Sequence, residues 1–344
     1  MLRTFSGNAI TAKARAIYGK RLTTANYREL LRLRSVSAVA AYLKETPAYH
    51  DDLSGVSELQ IHRGQLENIL NRAVLDRMLR MCHYDFSGKN SFFRCTVESV
   101  EIRMILRAIM MLNAGSQESL LFSLPAYMKP YTAFDFMELS QIRSFAELLR
   151  VLDDTPYEKI LRRYEAQNGE INLSFCERDL KEAYYRDMLK IAQTDYKGRT
   201  RAQLCDLILT EAELLNISLI YRLKTFFNRS PEEIRRMLLP FHKRLTPARL
   251  TALLNAPGGE DFPSSLAKNG YLSADASYEY VEEYTKELRF TLSKRLMRSA
   301  AGAPVAFFAL MTLLKIEVEN VTTIIEGIRY QNNPDEIEKL LILE

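Results

Sequence analysis

The chain has 344 residues, 47% of them hydrophobic and 26% charged, enough for a sizeable buried core in a globular protein of two or three domains. Its 47 basic and 43 acidic residues leave a net charge of only +4, too slight for the dense basic face of a nucleic-acid binder. Four separated cysteines (Cys82, Cys95, Cys176, Cys205) and four histidines form no metal-type spacing, so free thiols in a reducing compartment are expected.

In chain order, the first residues, Met1 to Gly7, lack the apolar stretch of a secretory signal. Thr23 or Thr24 predicts the N-cap of a short helix running to Leu33, and Ser35 predicts the start of a second that ends near Thr46-Pro47, since proline disfavours helix at the residue before it. Two long helices follow, over about Arg63–Met81 and Ser91–Leu112, with a turn at 85–90 between them and another at 113–116. In the second, Ile102, Ile105, Leu106 and Ile109 lie on one face. Ser144-Phe145-Ala146-Glu147 has capping-box spacing, and its helix is expected to stop near Thr155-Pro156. Ser230-Pro231-Glu232-Glu233, Thr246-Pro247 and Asn333-Pro334-Asp335-Glu336 each predict a helix start, with proline in the first turn and, in two of them, acids favoured by the helix dipole. The run Ala300–Leu314 is the most hydrophobic. It is shorter than the roughly 20 residues of a membrane span, so a buried core helix is expected, with a segment dipping into a bilayer as the alternative. No period-2 stretch appears, and the fold class is all-α.

The chain also repeats itself. Leu22-Thr23-Thr24-Ala25 through Leu31 returns as Leu245-Thr246-Pro247-Ala248 through Leu254. Glu29, Leu30, Ser35, Leu43, Thr46 and Pro47 recur, each 109 positions on, as Glu138, Leu139, Ser144, Leu152, Thr155 and Pro156. A second block aligns Glu98-Ser99-Val100-Glu101-Ile102 with Glu213–Ile217 and Glu317–Val321, at spacings of 115 and 104. Three related units follow, 1–113, 114–229 and 230–344, each read as two short helices and two long ones. That period is far longer than the roughly 20–50 residues of a solenoid.

Chemistry is sparse. Gly19-Lys20 has no upstream glycine for a phosphate loop, and neither His-Glu-x-x-His nor Gly-x-Ser-x-Gly occurs. The pairs Glu211/Glu213 and Glu317/Glu319 read as helix-surface charges, and the sequons at Asn216 and Asn320 as accidental matches within helices. Lys224, replacing an apolar residue at its repeat position, is expected to lay its stem along the helix and keep its ammonium in water. No catalytic residue, cofactor or metal is expected.

The opening Asn8-Ala9-Ile10, Lys13-Ala14-Arg15-Ala16 and Tyr27–Leu31, the mid-chain Glu211–Ile217 with Arg222-Leu223-Lys224, and the closing Glu317–Tyr330 with Pro334–Ile337 together resemble the AC39 (eukaryotic d) family of V-type and A-type ATPases. The resemblance implies three helical units in a funnel with pseudo-threefold symmetry, one copy per complex. It implies a peripheral, non-catalytic component on the cytoplasmic side that caps the membrane rotor ring of proteolipid subunits and receives the central-shaft subunits during ATP-linked proton or sodium transport. Ala256-Pro257-Gly258-Gly259 and Glu326, where arginine is more typical, depart from the family pattern. Glu98, Arg103, Arg107, Arg222, Lys224 and Arg329, polar groups of the fourth helices, are the expected interface residues. A free-standing helical adaptor with a peptide groove, or a helical enzyme with a buried carboxylate cluster, are the alternatives.

Overall fold

A computed structural model describes residues 2–58, 61–84, 91–115, 128–165, 171–268, 270–271 and 281–344, with helices and no strand among them. The expected turn at 85–90 lies outside the described residues, as does Ser116 of the turn after it. The sequence did not predict the first helix, α1 (Leu2–Tyr18). Three short helices follow: α2 (Thr24–Leu31), α3 (Val36–Glu45) and α4 (His50–Leu53). The Thr23 side chain accepts from Asn26 N–H and the Asn26 side chain reaches back to Thr23, closing a capping box; Ser35 caps α3 through Ala38 N–H. The long pair is α5 (Arg63–Cys82) and α6 (Cys95–Ala114).

The second stretch has α7 (Phe136–Leu139), α8 (Phe145–Val151), α9 (Pro156–Leu161), then long α10 (Leu173–Asp195) and α11 (Gly198–Thr225). Thr155-Pro156 corrects the sequence reading. It opens α9 instead of ending α8, which stops at Val151, because Asp154 turns to φ 59° and Thr155 then accepts from Glu158 N–H with proline in the first turn. At Ser144 the box is shifted by one residue: Ser144 accepts from Glu147 N–H, while Glu147 accepts from Arg143 N–H.

The third stretch has α12 (Pro231–Met237), α13 (Pro247–Asn255), α14 (Phe262–Lys268), long α15 (Val281–Ser299) and α16 (Ala303–Tyr330), and finally α17 (Pro334–Lys339). Ser230, Thr246 and Asn333 are N-caps as expected. The apolar run becomes the start of α16, where every residue from Ala303 to Leu314 is buried, as a helix apolar on all sides must be. No helix among the described residues is long and apolar enough to cross a membrane.

Compactness groups these elements into two units that do not follow chain order. One holds Met1–Phe93, Gly198–Leu204 and Ser277–Glu344. Its centre is α16, packed on α15, α1 and α5, with Phe307 edge-on to Phe93 at 5.0 Å. The other holds Arg94–Lys197 and Cys205–Ala276, built on the α6–α10 pair. The division into 1–113, 114–229 and 230–344 is one of sequence periodicity.

Candidate functional site

Three glutamates on three long helices are buried to within 2% of full exclusion: Glu101 on α6, Glu213 on α11 and Glu317 on α16. This overturns the reading of Glu213 and Glu317 as surface charges; of their neighbours, Glu211 is half-buried and Glu319 is exposed. A buried carboxylate is tolerated only when its lone pairs are met by donors, and these are. Glu101 accepts from Ala133 N–H and Tyr157 O–H, both at 2.6 Å. A single oxygen of Glu213, Oε2, accepts from three successive amides, Lys243, Arg244 and Leu245, at 2.7–2.8 Å. Glu317 accepts from Leu22 N–H and Tyr49 O–H, each at 2.9 Å, with Arg21 Nε 3.4 Å away.

The plan is the same each time. A carboxylate in a long helix holds the backbone where the chain enters a short helix, and a tyrosine from the same following segment lies over it. For Glu213 that tyrosine is Tyr271, whose hydroxyl is held protonated by burial and by the carboxylate's charge. Burial likewise pushes Tyr49 and Tyr157 up, with their glutamates adding to the effect. Burial raises Glu317 itself above the usual carboxylate range, opposed by Arg21, the Leu22 amide and Tyr49.

The partners run in order along the chain and then wrap. Glu101 takes the segment after it, Glu213 takes the segment after it, and Glu317, near the C-terminus, takes Leu22 and Tyr49 near the N-terminus. The duplicated Leu-Thr motif is thus the docking strip: Leu245 N–H meets Glu213 as Leu22 N–H meets Glu317. A second polar contact repeats alongside. Asn216 exchanges two hydrogen bonds with the backbone of Leu239, and Asn320 does the same with Ile342. The sequon asparagines are therefore structural clamps. Tail helix α17 stands to Asn320 as α12 stands to Asn216, and α2 packs on α17 as α13 packs on α12. Head and tail jointly supply what residues 231–255 supply in one piece.

The first copy departs from the sequence alignment by one turn. Glu101, not Glu98, makes the carboxylate contacts, giving spacings of 112 and 104. The signal was present in the sequence as an acid flanked by Val100 and Ile102, but helical periodicity fits both registers.

The six expected interface residues sit on three long helices, α6, α11 and α16. Glu98 is partly covered, 4.0 Å from Arg94, and burial lifts its carboxyl to about 7, with Arg94 opposing and Glu101 and Asp187 adding. Arg103 is exposed and Arg107 half-buried on α6. Arg222 is exposed near the end of α11, and Arg329, exposed near the end of α16, lies over the Tyr330 ring. Lys224 corrects its expectation. Its ammonium donates to the Leu254 carbonyl on a half-buried side chain, and burial lowers its pKa. That contact also explains the departure at 256–259. Gly258 lies against the Lys224 backbone, where a Cβ would come within 3.2 Å, and Gly259, at φ +67°, donates to Thr225 Oγ1. Glu326 is likewise accounted for: it pairs with Arg63.

Fold and stations define an all-α protein whose repeated polar centres join helices to the segments that follow them. Residues 10–340 match the family described as ATP synthase (C/AC39) subunit, and the chain belongs to that family. Among curated relatives, the C subunit of the A-type ATP synthase of Thermococcus kodakarensis is 26% identical over 67% of this chain and 60% of its own length. Its counterpart in Archaeoglobus fulgidus is 26% identical over 61% of this chain and 60% of its own length. The one in Methanosarcina acetivorans is 22% identical over 96% of this chain and 86% of its own. The chain spans about 60% of the length of the first two relatives in the matched region.

Proposed function

We propose that this protein is the central-stalk component of a bacterial or archaeal V/A-type rotary ATPase, capping the membrane rotor ring and coupling it to the central shaft. The observation that carries the reading is the family match over residues 10–340, supported by relatives named as C subunits of A-type ATP synthases. In this role the chain is peripheral, held at the cytoplasmic face through the ring, and does no catalysis itself; the choice of proton or sodium lies in residues of the ring.

The cyclic order of the carboxylate contacts supports a collar of three units, 1–113, 114–229 and 230–344, closed by joining Glu317 to Leu22. A torque coupler needs contacts spread at some radius from its axis, because one small patch would slip or hinge. Among the expected interface groups, Arg103, Arg222 and Arg329 are exposed and can face a partner; Glu98 and Arg107 are partly covered, and Lys224 contributes by fixing the end of α11.

Purified protein should hydrolyse no ATP and should retain isolated rotor rings or shaft proteins in a pull-down. Binding to neither would overturn the proposal and leave the adaptor reading.

A further inference from the structure

Beside the Glu317 station lies a cavity of about 200 Å³ between α1, α4, α5 and α16. Two helices turn cations into it. Lys13 and Ile17 share one face of α1, with Lys20 just past its end; Ala73, Arg77 and Arg80 share one face of α5.

Most of the charge lining the cavity is already matched. Arg77 is held by Asp52 at 2.5 Å and stacks on the Tyr49 ring, Asp76 lies 3.7 Å from Arg72, and Arg21 sits beside Glu317. Lys13, Lys20 and Arg80 have no acid within 4.0 Å among the described residues, and Asp51 is the one lining acid without an ion pair there. Three cations without an ion pair therefore line the cavity beside one such acid, with Arg80 close enough to Asp52 to favour its charged form. Arg21 is a further cation of the lining: its side chain is 93% buried by accessible surface, and its Nε stands 3.4 Å from Glu317 Oε2 without forming a hydrogen bond to it. A recess rimmed by ammonium and guanidinium groups that have no ion pair, with a further guanidinium in its lining, is an arrangement an anion completes.

We propose that this cavity is a binding site for a small phosphate-type anion, held by Lys13, Lys20 and Arg80. Recognition is by side-chain cations, since the chain has no glycine-rich phosphate loop. Lysine point charges suit a tetrahedral oxyanion, and an arginine fork bonds it in two places. A recessed cavity of this size takes a free anion rather than a bilayer surface. The proposal is independent of the ring and shaft reading.

Calorimetric titration of the full chain with inorganic pyrophosphate tests it. The rim cations are exposed, so Lys20→Ala/Arg80→Ala should fold with an unchanged helical spectrum. Saturable one-to-one binding is expected, weakened at least about tenfold in that variant. It should stay within about twofold in Arg28→Ala/Arg32→Ala, which removes the same charge from two exposed side chains, one on α2 and one just past its end. No saturable heat, or equal losses in both variants, overturns the proposal. Co-flotation with phosphatidylglycerol vesicles without pyrophosphate binding overturns it as well, because the anion source is then the membrane.

Discussion

Tyr49 donates its hydroxyl to Glu317 at 2.9 Å across 268 positions of sequence. Together with the Leu22 amide on the other carboxylate oxygen, it ties the beginning of the chain to its last long helix. Neither residue has an alternative partner in water, since Tyr49 is fully buried and Glu317 is 1% exposed.

Removing that carboxylate strands the Leu22 amide, the Tyr49 hydroxyl and the Arg21 guanidinium together. Glu317→Ala should cost about 3–5 kcal/mol, the range for breaking a buried charged contact from one side. Tyr49→Phe, which leaves the acid one bond short, should cost about 1–3 kcal/mol. Urea unfolding of both variants and of the double variant measures this. A double-variant loss equal to the sum of the two would show that the groups do not act as one station.

The asparagine clamps discriminate amide from acid. In Asn216 and Asn320 the Nδ2 group donates to a carbonyl while Oδ1 accepts from the amide of the same residue. Aspartate keeps the acceptor but sets a second oxygen against a carbonyl. Asn216→Asp should destabilise by about 2 kcal/mol or more at neutral pH, and less at acid pH, where a protonated carboxyl donates again. Thermal unfolding at two pH values decides it.

The seat of α17 depends on a missing side chain. A Cβ at Gly327 would overlap Cδ1 and Cγ1 of Ile337, which is buried. Gly327→Ala should cost about 1–3 kcal/mol by overpacking, despite alanine's better helix propensity. Trimming the partner in Gly327→Ala/Ile337→Ala should return part of that loss. Hydrogen exchange at 334–344 should rise in the single variant, and an unchanged tail would contradict the packing.

Glu98 gives the protein a pH dependence. Its carboxyl titrates near 4.5 when unfolded and about 7 when folded, so across that window the folded chain holds a proton the unfolded chain has lost. The stabilisation is fully present below about pH 4.5 and fades as pH rises through 7. Because the side chain is 32% exposed, solvent screening reduces the effect to about 1 kcal/mol. Glu98→Gln should flatten this part of the stability profile. A profile identical to the parent between these pH values would place the titration elsewhere.

Much of the fold was legible because helix ends are written in local chemistry. Ser35, Ser144, Ser230, Thr246 and Asn333 each cap the helix they announced, since one side-chain oxygen and one amide three or fewer residues away suffice. Thr155-Pro156 misled because the same dipeptide ends one helix after Glu45 and starts another before Tyr157; Asp154 adopting a left-handed turn decided between them. Glu213 and Glu317 lie in a recurring block, yet their local pattern reads as surface charge. An acid amid apolar residues looks alike whether its oxygens meet water or three backbone amides, and those amides lie about 30 positions away for Glu213 and 295 away for Glu317.

The sequence by itself determined the all-α class, the recurring motifs, the capped helix starts and the burial of the apolar run from Ala303. These follow from periodicity and from contacts within a few residues along the chain. Only the tertiary structure decided that Glu101 takes the place expected of Glu98, that Lys224 turns inward to Leu254, and that head and tail share one docking segment. Each of those depends on which distant backbone group comes within reach of a buried side chain, and local spacing carries no information about that.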